Sequence, residues 1–442
     1  MSKMTADLRA TNVQSDWQPV SRIQAQMFEL HQLRPQADIL SRAALVKGAL
    51  DLEQLRLALH WIYGRHPILR SVFSRQQGQI MRRSLANAVP LEIRNCVQLS
   101  TEEQEALVRE DTTRPFDIAQ DPLLRTLVYQ RAPKEYLMVL QCHHLVADGG
   151  TLVLWVGWLL QSYTSLQTTG KLPEFSVEDR YAQYTDFEQK YLQSTKGIKA
   201  SKYWQEHLHQ AAQQTTRQAA LQTIPQDDLS RSLHCGIENA ILVDERYQQC
   251  KASCQQEHIS LVARCAAAYQ QAMLELCPVQ PYLSATLSLR LAKKYRSVVG
   301  PLFMQALLQS GSPDESLAAR SKRLGHEILG GQLRVYGGDT IGPHGSLGKT
   351  LPLEYTALFG FFSSSSAADS FAFGDSGGRV EIGPELSLES YELPWRLTPY
   401  GLFLSVADYT SELRLKLIHN FSAYPQDLAE KILQRITSLL AG

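Results

Sequence analysis

The sequence predicts a mixed α/β protein of two folding units, and three observations carry that reading. At 442 residues the chain is long for one domain, since a domain usually runs to roughly 150 residues. Stretches with apolar residues at helical spacing alternate with short apolar runs bounded by turn residues, so helices and strands are interleaved. The pattern breaks at Thr168-Thr169-Gly170-Lys171-Leu172-Pro173, after which the same ingredients return. The boundary is placed there, with an N-terminal lobe over 1–172, a C-terminal lobe over 173–442 and no internal sequence repeat.

The elements follow in order. Ile23, Met27 and Leu30 recur at helical spacing. Asp51 caps a second helix with Gln54 three residues on; Leu52, Leu55, Leu59 and Ile62 form its apolar stripe and Gly64 is placed to end it. Ile68–Arg75 and Gln79–Leu85 read as a hairpin around Gln76-Gln77-Gly78. A second hairpin joins Leu123–Gln130 to Tyr136–Cys142 through Arg131–Glu135. Its second strand is almost wholly apolar, as expected for a strand covered on both faces. That strand stops at His143-His144, and after Gly149-Gly150 the run Thr151–Tyr163 reads as a buried helix. The two histidines therefore sit where a central strand hands over to a helix.

Beyond the break, the pattern gives a helix over Ile259–Leu276, a strand over Tyr282–Leu289 and a hairpin through Leu402–Ala407 and Leu413–Ile418. The closing helix has Pro425 near its start and Leu428, Ile432, Ile436 and Leu439 along one face. The Gly/Ser-rich stretch from Gly330 to Gly378, including Ser363–Ser366, reads as long loops crossing between the lobes.

Composition excludes several classes of function. Lys plus Arg and Asp plus Glu are each 44, and that balance removes the electrostatic reason to expect nucleic acid or an anionic membrane as partner. No run of eighteen apolar residues suggests a membrane span, and no apolar leader follows Met1. The seven cysteines, Cys96, Cys142, Cys235, Cys250, Cys254, Cys265 and Cys277, are scattered and odd in number, which points to reduced thiols and a cytoplasmic location. Cys250 and Cys254 share a helix face, but no second pair follows at zinc-site spacing, so no metal is expected.

The run His143-His144-Leu145-Val146-Ala147-Asp148-Gly149 spells HHxxxDG. Companion segments stand in order around it: Arg65-His66-Pro67-Ile68-Leu69-Arg70-Ser71-Val72-Phe73, Arg114-Pro115-Phe116-Asp117, Asp121-Pro122-Leu123-Leu124-Arg125, Tyr203-Trp204, and Arg290 with Val299-Gly300-Pro301. Together they resemble the condensation-domain superfamily of acyltransferases. That superfamily contains nonribosomal peptide condensation domains, polyketide-associated acyltransferases, wax ester synthases and chloramphenicol acetyltransferase. The resemblance runs from about residue 20 to the C-terminus. It implies two chloramphenicol acetyltransferase-like lobes forming a V with a central channel.

Moving an acyl group from a thioester to an amine or alcohol needs a nucleophile relieved of its proton and a stabilised oxyanion. A histidine accepts a proton near neutral pH, which contributes about 10²–10⁴ in rate. The resemblance places that role on His144, as general base or positioner of the nucleophile, and makes His143 a hydrogen-bonding neighbour. Asp148 either orients the imidazole, as in a triad, or pairs with Arg290 to tie the turn to the other lobe; the resemblance favours the pair. Gly149 lets the chain turn and offers an amide to the oxyanion. Catalysis is thus assigned to His144, Asp148 and Gly149, with His143 and Arg290 in support.

Competing readings are weaker. His143 and His144 point to opposite sides of a strand end and do not converge on one metal. Cys142 shares a face with His144, yet it lies in a core strand, and the resembled family forms no acyl-enzyme. Gly374-Asp375-Ser376-Gly377-Gly378 imitates a serine-protease motif, and Gly342–Thr350 falls one residue out of phosphate-loop spacing. Met304 and Gly150 depart from the family's usual residues and alter the expected acyl channel. His60, His66 and His419 read as core residues. The expected protein is a free-standing acyltransferase with no bound cofactor. Its donor would be an acyl or peptidyl carrier protein's phosphopantetheine thioester, or acyl-coenzyme A, and its acceptor a small amine or alcohol. The alternatives are a coenzyme A-dependent O-acyltransferase of the wax-ester type, a non-catalytic carrier-docking module and, more distantly, a serine hydrolase.

Overall fold

The computed structural model describes residues 16–86, 91–174, 179–219, 233–338, 355–363, 367–375, 378–382, 385–394 and 396–442. The chain is of mixed α/β class and divides into two compact units that are not consecutive stretches. The first takes in Met1–Glu188, Arg290–Leu302 and Ser366–Pro394; the second takes in Gln189–Leu289, Phe303–Ser365 and Trp395–Gly442. A single cut near residue 172 therefore does not describe the division. Two later segments return to the first unit, one held by a side-chain ion pair and one by strand pairing.

In the first unit a six-stranded sheet runs, from edge to edge, Arg379–Glu381, Leu386–Tyr391, Ile39–Gly48, Glu135–His143, Leu124–Ala132 and Leu91–Asn95. The returning strand Leu386–Tyr391 pairs antiparallel with Ile39–Gly48, from Leu386 opposite Gly48 to Tyr391 opposite Ala43. Glu135–His143 has antiparallel neighbours on both sides. Its residues from Tyr136 to His143 are all buried, which is why it reads as a continuous apolar run. The hairpin that enters it turns tightly, with Lys134 at φ 62°, so the loop is shorter than the five residues expected.

Local chemistry explains the helix ends. Asp51 accepts from the amides of Glu53 and Gln54 at 2.9 and 3.0 Å, capping Leu52–Arg65. This helix does not stop at Gly64. It runs to Arg65, and His66 is extended (φ −121°, ψ 92°), the conformation that a following proline imposes. Pro67–Arg70 is then a 3₁₀ turn before the hairpin Ser71–Gln76 and Gln79–Ser84, whose turn residues Gln77 and Gly78 both have positive φ. Ser21 closes a capping box with Gln24 at the start of Arg22–Leu33. The motif helix Gly149–Thr169 ends at Gly170 in the left-handed conformation, φ 67°.

The second unit holds a seven-stranded sheet in the order Phe303–Leu307, Tyr282–Ser288, Thr356–Ser363, Leu402–Asp408, Glu412–Asn420, His234–Val243 and Arg396–Leu397. Thr356–Ser363 pairs parallel with both of its neighbours. The stretch Gly330–Gly378 is thus not all loop: it contains this central strand and the helix Ala367–Phe373. In the closing helix Gln426–Ala441 the buried stripe is Ala429, Ile432, Leu433, Ile436 and Leu440, so Leu440 rather than Leu439 faces the core. No described helix is long and apolar enough to cross a membrane.

Candidate active site

The site is built at the end of the central strand Glu135–His143. Ile39 is the residue opposite His143, and the Leu123 carbonyl takes the His143 amide at 2.8 Å. One residue further, the Asp38 carbonyl takes the His144 amide at 2.9 Å, so the strand pairing extends to the second histidine.

The two imidazoles are held differently. His143 is fully buried. Its Nδ1 accepts the Leu145 amide at 3.1 Å, which leaves the proton on Nε2 to donate to His31 Nδ1, 3.1 Å away. The Phe116 ring meets it edge-on, with centroids 6.4 Å apart. Burial, with His31 and His144 nearby, holds His143 well below the ordinary imidazole range. It is locked on both nitrogens. His144 is half-buried, and its Nδ1 lies 3.1 Å from the Ala147 carbonyl. A carbonyl only accepts, so Nδ1 carries the proton and Nε2 presents the lone pair, the tautomer a general base needs. Burial lowers the ring to about 4 although Asp148 pulls upward, so it is neutral at physiological pH. The backbone that orients it belongs to a turn fixed by Leu145, Val146 and Ala147, all fully buried. Gln24 donates to the Leu145 carbonyl at 2.7 Å.

Asp148 does not take the third place of a triad. Its carboxylate caps the motif helix through the Thr151 amide at 2.8 Å, accepts the Leu302 amide at 2.9 Å, and meets Arg290 through Nη1 at 2.5 Å and Nη2 at 2.8 Å. Burial alone would raise this carboxyl, but the Arg290 guanidinium and the two amides outweigh it and hold Asp148 below its ordinary value. Arg290 Nη2 also reaches the carbonyls of Val298 and Gly300, at 3.1 and 2.9 Å. The pair braces the motif turn against the segment Arg290–Leu302, which lies in the same unit as the motif.

Close approach explains two glycines. A Cβ on Gly150 would stand 2.9 Å from Arg290 Cζ, and one on Gly300 (φ 127°) would stand 2.2 Å from the Tyr181 ring. Gly149 opens the motif helix, where the first amides have no partner within the helix. Met304, by contrast, is buried in the second unit's sheet opposite Leu287.

The other companion segments are braces. Arg125 lies 3.8 Å over the Phe116 ring and donates to the carbonyls of Arg114 and Pro115, each at 3.2 Å. Arg70 donates to the carbonyls of Tyr63 and Leu85. Trp204 Nε1 donates to the Arg334 carbonyl at 2.9 Å. Cys142 is fully buried and its thiol is pushed up to about 12, which leaves no thiolate to act as a nucleophile. Sequence reasoning missed His31 and Asp38, which the fold brings to the motif, and Thr151, two residues past it, whose hydroxyl donates to the Gly300 carbonyl. Ser376 and the run Gly342–Thr350 lie outside the described residues. Among the described residues no group of three or more His, Cys, Asp and Glu side chains is placed to hold a metal ion.

Comparison with known proteins adds a second line of evidence. A family model described as Condensation domain matches residues 14–320, more than half of the chain. The probable non-canonical nonribosomal peptide synthetase CymA of Salinispora arenicola is 32% identical over 207 residues, 45% of this chain and 3% of that protein. Tyrocidine synthase 3 of Brevibacillus parabrevis is 29% identical over 191 residues, 43% of this chain and 3% of that protein. The chain thus matches only a small fraction of the length of these relatives. Among solved structures, the starter condensation domain of rhizomide synthetase, in complex with C8-CoA and Leu-SNAC, has a TM-score of 0.74 at 16% identity, covering 100% of this chain and 97% of that one. The X-domain solved in complex with OxyB from teicoplanin biosynthesis also has a TM-score of 0.74 at 16% identity, covering 97% and 93%.

Proposed function

Because the chain belongs to the condensation-domain family, we propose that it transfers an acyl group from a thioester to an amine or hydroxyl, with His144 as general base. The single observation that carries this reading is the Nδ1 bond from His144 to the Ala147 carbonyl, since it leaves Nε2 as the proton acceptor. In the proposed reaction the acceptor's lone pair attacks the thioester carbon as Nε2 takes its proton. The tetrahedral intermediate forms beside the Gly149 amide and collapses with loss of the C–S bond. The thiolate leaves with the proton that His144 received. Asp148 and Arg290 act at one remove, by fixing the turn. The donor is the phosphopantetheine thioester of a carrier protein or acyl-coenzyme A; a structural neighbour bound to C8-CoA supports the second source.

A second reading, a docking module without turnover, is favoured by the X-domain neighbour solved with a protein partner. The two separate in one assay. Purified protein is incubated with octanoyl-coenzyme A or octanoyl carrier protein and a panel of amines and alcohols, and products are read by mass spectrometry. Product formed by wild type and lost in His144→Ala supports transfer. Carrier binding without product on any acceptor supports docking. Products formed only from coenzyme A and alcohols identify the wax-ester type.

A further inference from the structure

One helix grips the motif turn at two points. Gln24 and His31 stand two turns apart on Arg22–Leu33, so their side chains leave the same face. Both are buried. Gln24 donates to the Leu145 carbonyl at 2.7 Å. His31 Nδ1 lies 3.1 Å from His143 Nε2, with the ring planes 67° apart, and His143 Nδ1 accepts the Leu145 amide at 3.1 Å. The carbonyl and the amide of Leu145 are therefore both tied to this helix, the first directly and the second through His143.

Chemistry fixes the direction of each bond. A backbone amide only donates, so His143 Nδ1 is bare and the neutral ring keeps its one proton on Nε2. That proton needs an acceptor, and His31 Nδ1 supplies one only while His31 is neutral with its own proton on Nε2. Burial keeps it neutral, outweighing the upward pull of Asp117. Two residues past Leu145, the Ala147 carbonyl accepts the proton on His144 Nδ1 at 3.1 Å. A one-way series of donors and acceptors thus runs from His144 through the turn and His143 to His31. With its last acceptor removed, the His143 Nε2 proton would be buried unanswered. The ring relieves that cost by turning, and the Leu145 amide loses its partner.

We propose that His31 is a positioning residue: by accepting from His143 it fixes the motif turn, and through the Ala147 carbonyl it keeps the proton of His144 on Nδ1. This rests on the reading of His144 as general base and deepens it by naming the residue that sets its tautomer. His31 acts through His143 rather than on the substrate.

The imidazoles report this directly, with or without turnover. The full-length protein is labelled with ¹⁵N in its histidine rings, and long-range proton–nitrogen correlation at neutral pH shows which nitrogen of each ring carries the proton. Signals are assigned by their loss in His31→Asn, His143→Gln and His144→Ala. Wild type should hold the proton on Nε2 in His31 and His143 and on Nδ1 in His144. His31→Leu, which fills the space without an acceptor, should turn the single His144 form into a mixture of tautomers. His31→Asn, whose Oδ1 is bonded to Cγ as Nδ1 is, should restore the single form. In the acyl-transfer assay His31→Leu should lower kcat about ten- to a hundredfold, as misplacing a reacting group by about 1 Å does. KM should stay nearly unchanged, and His31→Asn should recover most of the loss. Should His31→Leu not fold, His31→Phe takes its place. A proton on Nδ1 of His143 or of His31 in wild type, or an unchanged His144 tautomer in His31→Leu, would overturn the assignment. Full turnover in His31→Leu would sink this inference while leaving acyl transfer standing. The expected tautomer changes in a protein that turns over no acceptor would do the reverse.

Discussion

Asp148 follows His144 by four residues and Asp38 pairs with it through the backbone, and the surroundings of their two carboxylates are opposite. On the helix side, Asp148 receives the guanidinium of Arg290 and two backbone amides. On the strand side, Asp38 has one oxygen, Oδ2, buried without a donor among the described residues. The same side chain is therefore held below its ordinary range in one place and pushed up to about 7 in the other. Burial acts on both; the presence or absence of donors decides the outcome. A carboxylate whose lone pairs are all occupied is structural, since it has nothing left to offer a substrate. One that lacks donors is destabilised by burial and takes up a proton more readily.

The largest effects should come from the saturated side. Asp148→Ala leaves Arg290 buried without its partner, and breaking such a pair from one side costs roughly 3–5 kcal/mol. Urea denaturation should register that loss, and activity should fall with it. Arg290→Ala should lose a similar amount, and the double variant Asp148→Leu/Arg290→Met less than either single change would suggest by addition. Additive losses would mean that the carboxylate and guanidinium act independently, which the shared hydrogen bonds argue against.

His144→Ala should behave differently from these. It removes a half-buried ring whose Nδ1 bonds a backbone carbonyl, so stability should change by about 1–2 kcal/mol, whereas turnover should drop about 10²–10⁴-fold. His143→Ala should do the converse in part, because both of its nitrogens are bonded in a fully buried setting. Its thermal midpoint should fall before any question of catalysis arises. Equal loss of stability in the two variants would erase the distinction between the working ring and the supporting one.

How much of this was legible in the sequence follows from how far apart the partners lie. The motif His143–Gly149 was visible because its residues are contiguous, and the Asp148–Arg290 pair because companion segments stood in a recognisable order. Asp51 as a cap was legible because capping is local. Asp38 and His31 were not, because they reach the histidines through strand pairing and helix packing across more than a hundred residues of chain. The strand Thr356–Ser363 was read as loop because Gly- and Ser-rich neighbours obscured an apolar run that parallel pairing on both sides makes central. The return of Leu386–Tyr391 to the first sheet leaves no local mark at all, since which strand it pairs with is chosen by register rather than composition.

Gly150 offers a finer probe of the saturated side. The Cβ of Gly150→Ala would sit 2.9 Å from Arg290 Cζ and Nη1, pressing on the guanidinium while leaving the Asp148 carboxylate intact. Overpacking of this kind costs about 1–3 kcal/mol. Alanine also favours the helix that begins at Gly149 by up to about 1 kcal/mol, so the net loss in urea should be small and activity should fall by more than stability does. An unchanged kcat/KM would show that the brace tolerates displacement and that its geometry is not what positions His144.

The smallest effect separates the two carboxylates by pH. A carboxyl on an unfolded chain titrates near 3.9, and Asp38 in the folded protein is pushed up to about 7. From about pH 4 to about pH 7 the folded state therefore binds the additional proton, and its stability falls as pH rises through that window and levels off above it. Asn carries no such proton. Asp38→Asn should thus be more stable than wild type at pH 8 by about 1–2 kcal/mol, short of the full shift because the residue is half-buried. The advantage should shrink toward zero as pH approaches 4. Asp148, held below its ordinary value, acts in the other sense: its contribution is present above the unfolded pKa and is lost as pH falls through the folded one. Urea unfolding at pH 5 and pH 8 measures both. A variant of Asp38 that is less stable than wild type at pH 8 would mean that the carboxylate already has its partner within the protein, and the contrast with Asp148 would disappear.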